Sequence, residues 1–223
     1  MIHLHCGDAG RVRSLATELE ARAVEHDLPL WGAGGLILDG WATATLGDRP
    51  TGLARLRRGA ADWDALASIG DTFHNRLDTE ICLSAGGFAA GPTAVRSELD
   101  AMGRTGYRSS ESELHRLHGE LLLHSHCAPA RDALAELVTA YRMAAARDDR
   151  SFQLRAATSL ARLFVSRGHG WCAEDLLSAV FGTFTEGLDT PDLVAANALL
   201  GTLTGLSNGR LAGGAGRKPV ELP

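Results

Sequence analysis

Aromatic residues make up only 5% of this 223-residue chain, cysteines number four, and there is no excess of positive charge: 22 Lys and Arg face 27 Asp and Glu, a formal charge of −5. Each shortage excludes something. Without surplus positive charge little is available to neutralise a phosphate backbone, the source of most nucleic-acid affinity, so a DNA- or RNA-binding role is disfavoured. Cys6, Cys82, Cys127 and Cys172 show no Cys-x-x-Cys spacing. A chain of this length buries a core without disulfides, so reduced thiols are expected. No stretch of about 18 to 20 uncharged apolar residues occurs, which argues against a membrane span. The opening Met1-Ile2-His3-Leu4-His5-Cys6 lacks the basic flank and apolar run of a secretion signal. A soluble, cytoplasmic protein is expected.

What is present favours helix. The chain is 45% apolar, enough for a real core rather than disorder. Ala and Leu dominate while Ile is scarce, the choice expected where helix propensity outweighs β-branched packing. Apolar spacing predicts ten helices, over 9–26, 30–46, 51–66, 72–85, 93–102, 110–124, 130–147, 151–167, 172–184 and 191–203. Start signals support several: Asp8 precedes the first, Ser109 and Ser110 precede Glu111 and Glu113, and Thr190-Pro191-Asp192 sets a capping hydroxyl before Pro. The weakest stretch is 86–92, where Gly86, Gly87, Gly91 and Pro92 predict a broken or late-starting helix.

A repeat runs through these segments. Small or short residues Gly40, Thr79, Gly119 and Ala161 recur inside helical patterns at steps of 39, 40 and 42. Seven residues after three of them comes Gly47, Gly86 or Gly168, each followed by a second helical segment. A small side chain lets a partner helix approach closely, and a glycine at a helix end adopts the left-handed cap at no steric cost. The unit is a helical hairpin of about 40 residues. Hairpins with one bare apolar face must stack, which predicts an all-α, right-handed solenoid of the tetratricopeptide type, with residues 1–204 as the repeat domain. Residues 205–223, rich in glycine, predict a flexible tail. The first helix lacks a partner on its N-terminal side, so an uncovered apolar flank is expected there, a route to a homodimer.

On these residues the chain resembles the C-terminal tetratricopeptide-like region of bacterial multidomain signalling ATPases, linked to adenylate or guanylate cyclase domains or to LuxR-type regulators. The likeness lies in Ala23-Val24-Glu25-His26 with Leu30-Trp31, in Gly40-Trp41-Ala42, in Gly52-Leu53-Ala54-Arg55-Leu56-Arg57-Arg58-Gly59 with Trp63, and in the stretch 113–123. It is strongest in Leu154-Arg155-Ala156-Ala157-Thr158-Ser159-Leu160-Ala161-Arg162-Leu163 and in 184–193. Gly91-Pro92 departs from it. The resemblance implies a scaffold that docks or senses a partner and passes the result to catalytic or DNA-binding domains.

Signatures of chemistry are weak. Gly213-Gly214-Ala215-Gly216-Arg217-Lys218 imitates a phosphate loop, but Pro219 follows and no metal-binding hydroxyl is present. His3-Leu4-His5-Cys6 and His124-Ser125-His126-Cys127 share a His-x-His-Cys pattern, with His115 and His118 leading to the second; imidazole and thiolate suit zinc. Lacking supporting spacings, these histidines, and His74 and His169, read as turn and surface residues. Glu18/Glu20 and Glu111/Glu113 read as solvated or capping carboxylates. No Gly-x-Ser-x-Gly elbow occurs. No catalytic residue, cofactor or metal is assigned, and the chain is not expected to be an enzyme.

Trp31, Trp41, Trp63 and Trp171 are expected to pack between hairpins, Trp41 alone being held open as a ligand contact. With the first helix of each hairpin as the inner wall, the concave row is Ile37, Trp41, Arg76, Glu80, Arg116, Glu120, Thr158 and Arg162. Arg76/Glu80 and Arg116/Glu120 also have the i,i+4 spacing of ion pairs on an exposed helix face. Mixed charge suits a protein or peptide partner, or a neighbouring cyclase or ATPase domain. The expected function is a non-catalytic helical-repeat scaffold for protein–protein or interdomain interaction, regulatory in such a signalling protein. A His/Cys metal sensor and an orphan remnant of a larger ATPase remain as alternatives.

Overall fold

The computed structural model describes residues 2–66, 73–84, 91–106, 108–125 and 129–211, and every regular element among them is an α-helix. There are eleven: α1 Ile2–His5, α2 Ala9–Glu25, α3 Pro29–Thr45, α4 Arg49–Leu66, α5 Phe73–Ser84, α6 Gly91–Thr105, α7 Glu111–Ser125, α8 Ala130–Ala146, α9 Arg150–Ser166, α10 Gly170–Phe181 and α11 Pro191–Leu211. Ten fall on the segments expected from periodicity; α1 is additional. α6 starts at Gly91, with Pro92 in its first turn where a missing N–H costs nothing. α11 runs past residue 204 to Leu211. The glycine pair Gly86-Gly87, His126, Cys127 and the phosphate-loop imitation lie outside the described residues.

The chain divides into two compact units, Met1–Leu117 and His118–Pro223. In the first, α3 packs on α2, α4 and α5; in the second, α9 packs on α8, α10 and α11. Each central helix thus touches its chain neighbours and also the next helix but one, the contact pattern of stacked hairpins.

One turn design is used repeatedly. Gly7, Asp27, Gly47, Asp148 and Gly168 all take a left-handed φ, of 72°, 52°, 118°, 53° and 79°. In each case the following residue donates its N–H to the carbonyl five positions back: Asp8 to His3, Leu28 to Ala23, Asp48 to Thr43, Asp149 to Ala144 and His169 to Phe164, at 2.8–3.1 Å. This is the Schellman arrangement. Positions 7, 27 and 47, and again 148 and 168, are 20 residues apart. A helix of 17 residues plus three turn residues makes this half-repeat. Two half-repeats make the 40-residue period read in the sequence. Asp8 and Asp48, one period apart, each accept a hydrogen bond from the backbone three residues on, at 3.0 and 3.2 Å. The intervening α3 starts instead on Leu28 and Pro29.

Close helix approach depends on missing side chains. A Cβ at Gly40 of α3 would overlap the backbone nitrogen of Leu56 on α4, and one at Gly52 of α4 would overlap the backbone nitrogen of Ala44. Gly59 faces the Ala33 carbonyl in the same way, at 2.9 Å, and Trp63 lies over Gly34. In the second unit, Gly119 faces Leu137. Ile37, Trp41 and Leu56 fill the first core; Leu137, Leu154, Leu160 and Leu177 fill the second. Arg155 clamps α9 to α11 through Asp192 at 2.6 Å.

The flank of α2 differs from expectation. Leu4 of α1 is buried against it, and the solvent side of α2 carries Arg11, Ser14, Glu18, Arg22 and Glu25, with Leu15 39% exposed. This flank is therefore mostly charged.

These contacts set a contrast among three glycines. Gly40→Ala drives a methyl into backbone and is expected to cost about 2–3 kcal/mol. Gly168→Ala has open space but a left-handed φ and should cost about 1 kcal/mol. Gly201→Ala, in open space on α11, should be neutral or gain up to about 1 kcal/mol. Urea unfolding followed by helical circular dichroism checks the order, and equal losses at all three would refute it.

Candidate functional site

The open feature of the first unit runs along α3. Two hollows lie end to end on it, of about 460 Å³ and about 440 Å³. Their floors are Pro29, Gly32, Ala33 and Leu36 in one and Asp39, Thr43 and Leu46 in the other. These form one helical stripe at spacings of three and four. α2 supplies one wall and α4 the other. The first hollow is apolar at Val24, Leu36 and Leu66, with Arg58 and Asp62 on its rim. The second is polar, faced by Arg13, Thr17, Thr51 and Arg55.

Arg55 separates the two. It reaches from α4 across α3, with Nε 2.5 Å from Asp39 Oδ2 and Nη2 3.4 Å from Glu20 Oε1 on α2. The Asp39 contact is a close charge pair, but the N–H does not point along it as in a hydrogen bond. Asp39 is nine-tenths buried and is the single charged residue of α3, so it needs this cation. Burial first, and then the Asp39 charge, push the Glu20 carboxyl above its ordinary range, while Arg55 opposes them.

The row expected from sequence is placed differently. Ile37 and Trp41, at 0% and 4% exposure, lie in the core behind the groove floor. Arg76 is buried and donates to Glu80 at 3.3 Å. Arg116 pairs with wholly buried Glu113 at 2.8 Å. In the second unit, Glu120 accepts from Ser159 at 2.5 Å and Thr158 bonds the Leu154 carbonyl, whereas Arg162 is exposed. The first-unit opening thus runs through Leu36, Asp39 and Thr43, one position away from Ile37 on the helix wheel and far from its direction. Asp39, a lone acid in an otherwise uncharged apolar helix, was the signal that marks this face.

Other expectations need correction. Glu111 and Glu113 are buried, not solvated, at 7% and 0%. His74 is not a surface residue: it is 2% exposed, 3.0 Å from Asp64 and edge-on to Phe73. His118 is buried 3.1 Å from Glu136. Trp31 is 54% exposed instead of packed. His3 contacts Asp8 at 3.5 Å. Among the described residues no group of three or more His, Cys, Asp or Glu is disposed to hold a metal ion. Burial raises the thiols of Cys82 and Cys172, and Asp78 raises Cys82 further, which keeps both from the thiolate form. No helix among the described residues is long and apolar enough to cross a membrane.

Glu20 makes the groove's electrostatics testable. Because its folded pKa is raised, it contributes stability at low pH that is lost as pH rises through its titration above 4.5. A Glu20→Gln variant has no such loss, so its stability relative to the natural protein should grow between about pH 4 and about pH 7. Urea midpoints measured across that range check this, and the opposite trend would mean that the pairing with Arg55 outweighs burial. Compared with protein-family models, curated proteins and solved structures, the chain matches none.

Proposed function

We propose that this protein is a non-catalytic helical-repeat scaffold, a right-handed solenoid of the tetratricopeptide type that binds a protein partner or a neighbouring domain. The groove along α3 carries the reading. It is lined from three helices, it is open, and it offers an apolar half beside a polar half, the composition that suits a macromolecular surface. The recurrent 20-residue half-repeat supports the scaffold class. On the resemblance in sequence, the scaffold serves in the cytoplasm as a regulatory module of a bacterial cyclase- or ATPase-linked signalling protein or transcription regulator. Its mechanism is binding, with occupancy of the groove altering how successive hairpins pack.

Photo-crosslinking inside cells tests the reading. A photoreactive residue at Thr43 or Leu36 should give discrete protein adducts, while one at exposed Thr139 of α8 should not. Leu36→Lys, combined with the Thr43 probe, should remove those adducts. Adducts indifferent to position, or substrate turnover by the pure chain, would overturn it.

A further inference from the structure

We propose that the groove along α3 receives an amphipathic helix of a partner protein, its apolar side seated in the Val24, Leu36 and Leu66 hollow and its carboxylates meeting Arg13 and Arg58. The proposal rests on the docking reading above and names the chemistry of the partner.

The helical form follows from the walls. Floor and walls are three α-helices, whose mid-helix N–H and C=O groups are already bonded within each helix. An extended strand laid here would find no backbone partners, whereas a helix satisfies its own. The stripe from Pro29 to Leu46 spans about 27 Å at the rise of an α-helix, room for roughly four to five turns of an occupant. The apolar hollow has exposed apolar residues at its end, Val24 at 84% and Leu28 at 44%, beside Trp31. A helix with side chains at i, i+3, i+4 and i+7 covers such a patch.

The sign of the charge follows from which groups are already used. Glu20 and Asp39 both face Arg55. Asp48 is occupied in capping α4, where it accepts from Thr51 N. Arg13, on the α2 wall of the polar hollow, and Arg58, on the α4 wall of the apolar one, have no acidic partner among the described residues. Asp62 is the lining acid left over. Two uncommitted cations on opposite walls against one anion favour a helix with acidic residues flanking its apolar stripe on both edges.

The test uses the full chain and three fluorescein-labelled helical peptides of about 16 residues, which share one Leu stripe and differ only in having Glu, Gln or Lys on the flanks. Anisotropy should rank the Glu peptide tightest, with affinity falling between about 50 mM and about 300 mM salt. Arg13→Glu and Arg58→Glu, both at exposed positions, should each weaken it about three- to tenfold, and Leu36→Lys should abolish binding. Circular dichroism confirms that each variant keeps its helix content. If the Gln or Lys peptide binds as well, or the arginine variants change nothing while Leu36→Lys still abolishes binding, the acidic partner is wrong and the groove stands. If no peptide binds, or binding ignores Leu36→Lys, the groove itself is lost as a docking site.

Discussion

Backbone-to-backbone contact between α3 and α4 sets the geometry of the first unit. Gly40 and Gly52 let the two helices touch without side chains between them, and Gly59 continues the contact along α4. On its other side α3 is tight against α2, where a Cβ at Gly35 would come 2.7 Å from Glu20 Cγ. α3 therefore sits between two walls with little bulk of its own. The groove is the space its missing side chains leave. Four glycines in α3, each costing about 1 kcal/mol of helix propensity, mean that the helix depends on its neighbours. Floor and fold are thus one property.

Charge is distributed according to the same geometry. Asp39 is buried because α3 is enclosed, and Arg55 reaches it because the close approach of α4 places a long side chain over α3. Through Glu20 the same guanidinium ties both walls together. Within the second unit, buried polar groups are satisfied internally: His118 by Glu136, Ser159 by Glu120 and Arg155 by Asp192. Pairs of this kind add little net stability but are costly to break, so they hold one arrangement of helices against others. Unsatisfied charge facing open space is concentrated at the α3 groove.

The turns explain why a period of about 40 residues was readable while its half was not. Glycine at 47 and 168 announces a left-handed cap, since other residues rarely adopt that φ. Asp27 and Asp148 occupy the same geometry without announcing it, because aspartate is also common at helix starts and in ordinary turns. The small residues at Gly40 and Gly119 marked close helix contacts correctly, whereas the burial of Glu113 and His74 could not be read, because a charged side chain is exposed unless a distant partner pays for its burial.

Composition and helical periodicity by themselves determined an all-α chain, the positions of ten of its helices and the hairpin period, because these are local properties of the backbone and of spacing along it. Which side of α3 faces out was decided only by tertiary structure. That helix is apolar nearly all round and is covered on two sides, so its pattern offers no single polar face to read. Ile37 and Trp41 went inward and Leu36, Asp39 and Thr43 outward because α4 docks on the glycine side, and that choice depends on two helices meeting, which neither segment records alone.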